Sequence, residues 1–550
     1  MNKKQIFKLA LVLVLAISLV ISGCSMGKNK EAAIQKNNQQ NSKQGGLGES
    51  QAKDSLVLAV GSEPDGGFDP TTGWGRYGSP LFQSTLLKRD IDLNIVNDLA
   101  TGYSVSEDAK TWTVKLRDDV QFSDGQPLTA ADVVFTYETA ANNGSSIDLT
   151  NLQSVKAEDE TTVLFTLKKP QSTFVFHLAS LGIVPQHAYG ENYSQNPIGS
   201  GPFKFVQWDR GQQLIVEANE NYYGEQPSFK KLTFLFITED VAYAKAKAGE
   251  VDITAIPASF SNQQVPGMKM INLKSVDNRG IAFPTVPAQG KNAAGNEVGN
   301  DVTADIAIRK AINVAIDRQA LVDGILEGHG TPAYSANDGL PWWNEQISVK
   351  DGDLAAAQQI LADAGWKDSN GDGIVEKGNL KAEFTIIYPS NDVIRQSLSL
   401  AVADMVLPAG IRINVDGKSW DDIGKLMHSN AIALGWGSHD PLEMYNLYHS
   451  SYGGVDYYNT GYYNNATVDQ YLDAAMDATS EQAALEFWKK AQWDGNTGLS
   501  ALGDAPWAWL VNIDHIYLVN EKLDIGQQKI QPHGHGWPVT DNIAEWKWTN

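Results

Sequence analysis

"TWTVKLRDDVQFSDGQPLTAADVVFTYETA", residues 111–140, sets the class of the fold. Its first part alternates Trp112, Val114 and Leu116 with Thr113, Lys115 and Arg117, the two-residue period of a half-buried strand. A turn follows at 123–125. Thr129 then reads as a helix N-cap with Asp132 three positions on, opening a helix over the residues that follow. Strand, turn and helix in one short stretch call for a core in which both element types share the packing.

The same grammar extends in both directions. "DSLVLAVG" (54–61), "TTVLFTLKKP" (161–170), "KKLTFLFI" (230–237), "AEFTIIYP" (382–389), "IRINVDG" (411–417) and "WAWLVNIDHIYLVN" (507–520) read as strands, and "FKFVQWDRGQQLIVEAN" (203–219) as a hairpin. "EDVAYAKAKAGEVDIT" (239–254) is a helix stopped by Gly249 that runs into a strand. Past residue 300 longer helices are expected. One lies in "TADIAIRKAINVAIDRQALVDGILEG" (303–328), with Ile308, Ala311, Ile312, Ala315 and Ile316 at helical spacing; others lie in "DLAAAQQILADAGW" (353–366) and from Val468 to about Trp493. No period of 20–50 residues recurs. The class is α/β, and a chain this long needs two or more lobes.

The N-terminus bears on the compartment. Lys3, Lys4 and Lys8 precede an apolar run from Leu9 to about Ile21, followed by Gly23 and Cys24, the form of a secretory signal peptide over 1–23. That run is shorter than the ~20 residues a membrane span needs. "Ile21-Ser22-Gly23-Cys24" resembles a bacterial lipoprotein processing box, in which the thiol is acylated. Cys24 is the single cysteine, so no intramolecular disulfide is expected. Residues 24–54, rich in Asn, Gln, Lys, Ser and Gly, cannot bury a core and are expected to form a flexible tether.

The net charge of −22 becomes more negative still when Lys3, Lys4 and Lys8 leave with the signal peptide. Such a surface repels nucleic acid and anionic lipid, so both are poor partners, and no nucleic-acid partner is expected. Fifteen tryptophans and nineteen tyrosines offer wide stacking area for small solutes.

Four stretches hold candidate chemistry. "DSNGDGIVEKGN" (368–379) begins like a calcium loop with Asp368, Asn370, Asp372 and Gly373, but its twelfth position is Asn379 where a bidentate Glu belongs, so a polar loop is expected. Ser438, His439 and Asp440 stand in a row, and adjacent side chains diverge, so they make no relay. Neither G-x-S-x-G nor H-E-x-x-H occurs, which argues against an extracellular hydrolase. "FDPTTGWGRYG" (68–78) presents Trp74, Arg76 and Tyr77 on a glycine-rich loop after the first strand. Loops at strand carboxyl ends line crevices, and a guanidinium suits a carboxylate. In "QPHGHGWPVT" (531–540), His533 and His535 point the same way if the chain is extended, a pattern that suits Ni²⁺, Cu²⁺ or Zn²⁺ held with a chelator. Trp537 beside them is counted among the ligand contacts.

Several segments together resemble one family. "DLATGYSVSEDAKTWTVKLRDDVQFSDGQPLTAADVVFTYE", "NPIGSGPFKFVQW", "EANENYYGEQPSFKKLTF", "IRKAINVAIDRQALVDGILEGHGTPA", "AAQQILADAGWKDSNGDGIVEKG" and "YYNNATVDQYLDAA" fall in the order found in the peptide/nickel class (family 5) of solute-binding proteins that serve ABC importers. The resemblance implies a periplasmic-binding-protein-like fold of two hinged lobes with a subdomain inserted in the first. It places lobe I at 55–95, 196–275 and 515–550, the insert at 96–195 and lobe II at 276–514. It further implies a short peptide or chelated nickel or other transition metal as solute, ABC permease subunits as partners, a membrane anchor through lipid on Cys24, no catalysis and no resident cofactor. A Trp-Gly loop facing the cleft is implied at Trp436. In oligopeptide binders an Asp soon after that Trp pairs with the peptide N-terminus; here the loop is shortened, with His439 and Asp440 close by. Arg279 in "SVDNRGIAFP" (275–284) is expected to brace the lobe crossing. A solute sensor or chaperone on the same fold is the remaining alternative.

Overall fold

The computed structural model describes residues 53–78, 81–143, 147–534 and 536–549. Three sheets carry the architecture. A seven-stranded mixed sheet runs in the order Met268–Leu273, His515–Asn520, Ile253–Ala255, Ser55–Ala59, Lys231–Leu235, Gln213–Ala218, Phe203–Asp209. A six-stranded sheet follows the order Gly330–Pro332, Trp507–Ile513, Asn278–Ala282, Ala431–Leu434, Glu383–Pro389, Arg412–Lys418. The third, an antiparallel sheet of Ala100–Val105, Thr111–Leu116, Thr162–Leu167 and Leu152–Asp159, is inserted between strands of the first.

Residues 111–140 fold as their pattern requires. Trp112, Val114 and Leu116 are buried and Thr111–Leu116 is the strand. Helix Ala130–Asn142 starts where Asp132 accepts the Thr129 N–H at 2.9 Å, and it buries Val133 and Tyr137 against the inserted sheet's core. Gly249 ends helix Glu239–Ala248 at φ 70°, the left-handed conformation a Cβ disfavours.

Two long helical readings are broken. The helical spacing over 303–328 resolves into Ile306–Ala315 and Arg318–Ile325, because Asp317 turns the chain and caps the second helix by accepting the Ala320 N–H at 3.0 Å. The stretch after Val468 likewise divides into Ala466–Met476 and Glu481–Gln492, the latter capped by Ser480. Leu86 and Leu87 share the apolar core of the third sheet.

The first and second sheets are joined where their strands run on from one to the other. Leu273 leads through 274–277 to Asn278, and Ile513 leads through Asp514 to His515. The two runs lie side by side: Leu273 pairs with His515 and Asn278 with Asn512. A third run joins them, since Gln531 N–H donates to the Lys274 carbonyl and Val276 N–H to the Gln531 carbonyl, both at 2.8 Å.

Candidate ligand cleft

A cavity of about 670 Å³ opens between residues of the first sheet's loops, the insert and the second sheet's loops. Arg76 and Tyr77 reach it from the loop after the first strand, Arg89 and Phe176 from the insert, Trp436, His439 and Asp440 from the loop after strand Ala431–Leu434, and Glu443 from the first turn of helix Leu442–Tyr448 that follows.

The Trp-Gly loop is bolted to the strand crossing. Buried Asn278 accepts the Trp436 N–H through its side chain at 2.9 Å and donates its own N–H to the Trp436 carbonyl at 3.0 Å. His533 N–H donates to the Gly437 carbonyl at 2.7 Å. Gly437 sits at φ 146°, and a Cβ there would meet the Val276 carbonyl oxygen at 2.4 Å, so only glycine allows this approach. The Trp436 ring stacks on Tyr458 with centroids 5.4 Å apart.

The cleft's charges oppose one another. Arg76 lies over the Tyr77 ring at 4.4 Å and donates to the Tyr77 hydroxyl at 2.7 Å. Asp440 and Glu443 line the same cavity. Burial pushes each carboxyl up to about 7, despite backbone N–H bonds from Leu442 to Asp440 and from Gly437 and Ser438 to Glu443. Burial pushes the Arg89 guanidinium down to about 10, and it donates to the His439 carbonyl. Burial, with Arg89 and Lys529 nearby, drives His439 well below the usual histidine range, so its imidazole is neutral. Among the described residues, Trp436 Nε1, His439 Nε2, Asn446 Oδ1 and Gln531 Oε1 are buried cleft-lining atoms without a protein hydrogen-bond partner. Such groups are costly unless a solute or water completes them.

The sequence-derived residues divide. Arg76, Tyr77, Trp436, His439 and Asp440 line the cavity. Trp74 and Trp537 do not: they meet edge-to-face at 5.2 Å, and Trp537 is stacked on Phe234 at 4.5 Å with its indole N–H on the Ser62 carbonyl. Both belong to the first sheet's apolar core, where large aromatic area is best buried. His533 is also outside the cavity lining. Its Nδ1 lies 2.5 Å from Asp277 Oδ1 in the strand crossing, and its ring meets that of cavity-lining Tyr77 edge-on at 6.4 Å. His535 and Cys24 lie outside the described residues.

Arg279 pairs with Asp277 at 2.5 Å in the strand crossing. Burial alone would raise Asp277. Arg279 and then His533, with hydrogen bonds from His515 and His533, hold it well below the usual carboxylate range. Ser438 forms no relay; its hydroxyl accepts the Asp440 N–H at 3.0 Å. In the 368–379 loop, Asp368 accepts the Gly371 and Gly373 N–H groups, Glu376 accepts from Ser369 and Asn370, and the Lys381 ammonium lies 2.5 Å from Asp372, so this polar turn closes on itself.

Sequence reasoning missed Glu443, Arg89 and Tyr458. Glu443 carried a faint signal, an acidic residue in the first turn of a helix opened by Pro441. The others carried none, because their place depends on distant strands.

Comparison with known proteins gives the same picture. Residues 94–498 match the family model described as bacterial extracellular solute-binding proteins, family 5 Middle. Protein XP55 of Streptomyces lividans is 34% identical over 493 residues, 87% of each chain. The structure of NikZ from Campylobacter jejuni in complex with Ni(L-His) superposes with a TM-score of 0.74 at 27% identity, covering 90% of this chain and 99% of that one. The oligopeptide-binding protein AppA from Bacillus subtilis, in complex with a nonapeptide, does so at 0.67 and 25% identity, covering 91% and 100%. The fold is the mixed α/β periplasmic-binding-protein fold, and the chain belongs to family 5 of the bacterial extracellular solute-binding proteins, which bind and do not catalyse.

Proposed function

We propose that this protein is the lipid-anchored receptor of an ABC importer and that it captures a short peptide between two hinged lobes. Lobe I is built on the seven-stranded sheet and lobe II on the six-stranded one, and the strand crossings at 274–277 and 514 form the hinge. The observation that carries the reading is that one cavity is lined by both the Arg76 guanidinium and the carboxyls of Asp440 and Glu443. A zwitterion in the cleft meets both: its carboxylate takes the guanidinium fork, and its ammonium favours the ionised form of the Asp440 and Glu443 carboxyls, which burial pushes up to about 7. A closed, poorly hydrated cleft strengthens each of these contacts, and closure follows because the solute touches both walls only in the closed form.

A chelated transition metal is the second reading. It is favoured by His439, a neutral imidazole whose Nε2 is buried beside the cavity without a partner, the form that ligates metals. The relatives support each reading in turn: AppA was solved with a nonapeptide and NikZ with Ni(L-His). Acylation at Cys24 with two or more chains would hold the receptor at the outer face of the membrane, each buried CH₂ contributing about 0.8 kcal/mol.

Calorimetry of the full chain against di- to tetrapeptides and against nickel–histidine separates the two. Micromolar or tighter peptide binding, lost when the C-terminus is amidated, is the expected result. Nickel–histidine binding that is abolished by His439→Ala, with no peptide response, would replace the first reading by the second. No binding to any of them would refute both.

A further inference from the structure

The inserted subdomain does more than extend the first lobe. Three separate contacts run from it to elements of the second sheet. The hairpin of Leu87–Arg89 and Ile95–Asn97 carries Leu93 at its tip, at φ 67°, a conformation a leucine adopts only when its surroundings hold it there. Leu93 is 6% exposed and belongs to an apolar cluster whose other buried members all lie between Val276 and Trp509, among them Trp342, Leu434 and Met444. Arg89, in the same hairpin, donates to the carbonyls of Leu93 and His439, tying the tip to the cleft loop. Its charge also faces Asp440 and Glu481, both from the second lobe.

The third contact lies just before helix Phe174–Ser180. Ser172 N–H donates to the Met476 carbonyl at 2.7 Å and its hydroxyl to the Ala475 carbonyl at 2.8 Å. These carbonyls end helix Ala466–Met476. The last carbonyls of a helix have no partner within it, so a residue more than 300 positions away supplies a cap that belongs to the other lobe. Beside it, Phe176 approaches the Trp342 ring at 6.1 Å between centroids.

We propose that the insert is a latch, in which Leu93 as apolar anchor and Ser172 as helix cap grip the second lobe and hold the cleft shut around its solute. This rests on the hinged closure proposed above. Neither residue lines the cavity, so the latch sets how firmly any solute is retained without choosing which solute enters. Arg89 is the positioning residue that links the latch to the loop carrying His439 and Asp440.

The double variant Leu93→Asn/Ser172→Ala tests this in the full chain. Asn tolerates the left-handed backbone and removes the anchor. Amide hydrogen exchange without added solute reads the Ser172 N–H, whose protection depends on the Met476 carbonyl. A rise of tenfold or more in its exchange rate is expected. Affinity for each peptide of a tripeptide panel, or for nickel–histidine, is expected to fall 5- to 30-fold through faster release, with rank order across the probes unchanged. Unchanged exchange at Ser172, or a reordered preference among probes, would overturn the latch. Ser172→Ala alone alters one hydroxyl and carries the same comparison, with a smaller loss, if the double variant fails to fold. Should no probe bind the wild-type chain, the solute reading fails, while the exchange comparison still decides the latch.

Discussion

Asp440 and Glu443 give the cleft a testable pH signature. Both carboxyls are pushed up to about 7 by burial, above their values in an unfolded chain. Between about pH 4 and 7 the folded state therefore holds protons that the unfolded state has released, and stability falls as pH rises through that window. Melting temperatures of the solute-free protein should decline over this range. Asp440→Asn with Glu443→Gln should flatten the decline. Asp277 has the opposite sign: its carboxyl is held well below the usual range, so its contribution is present above the unfolded value and is lost only in strong acid. Asp277→Asn would leave Arg279, 13% exposed, without its counter-charge. A loss of about 3 kcal/mol in denaturant-derived stability is expected from the cost of an unpaired buried charge. A change within 0.5 kcal/mol would show that the pair braces nothing. Arg76 was legible in the sequence because a lone guanidinium stood in a glycine-rich loop after a strand. The contact of His533 with Asp277 was not legible, because a histidine spaced one glycine from another looks the same whether or not it meets a distant aspartate.

At the scale of elements, the Trp-Gly loop depends on glycine at 437, where an added Cβ would strike the Val276 carbonyl oxygen. Gly437→Ala should displace Trp436 from the cleft and weaken solute binding at least tenfold. Titration of tryptophan fluorescence with the tightest probe would measure this, and unaltered affinity would contradict the loop's role. Strands were readable because Val114 and its neighbours alternate, and the start of helix Ala130–Asn142 was readable because Thr129 and Asp132 form a capping box. The breaks at Asp317 and Ser480 escaped notice because apolar spacing continues across them, while a cap interrupts the backbone and leaves that spacing intact. Trp74 and Trp537 show the converse error: aromatic residues in glycine-rich loops looked exposed, but the first sheet needed their area for its core.

For the whole molecule, family motifs in order carried the lobed architecture, but the crossings could not be read from local pattern. Asp277 lies more than 230 residues before His515 and His533 in the chain, and only the sheet order brings them to one point. The same holds for the latch, where residues near 93 and 172 meet those near 340 and 476. The central claim is that solute and closure are one event. Small-angle scattering of the full chain, with and without a saturating peptide or nickel–histidine, tests it most directly. A smaller radius of gyration is expected, accompanied by stabilisation of about 2.7 kcal/mol at a solute concentration one hundred times Kd. Saturating solute with an unchanged scattering curve would contradict the account.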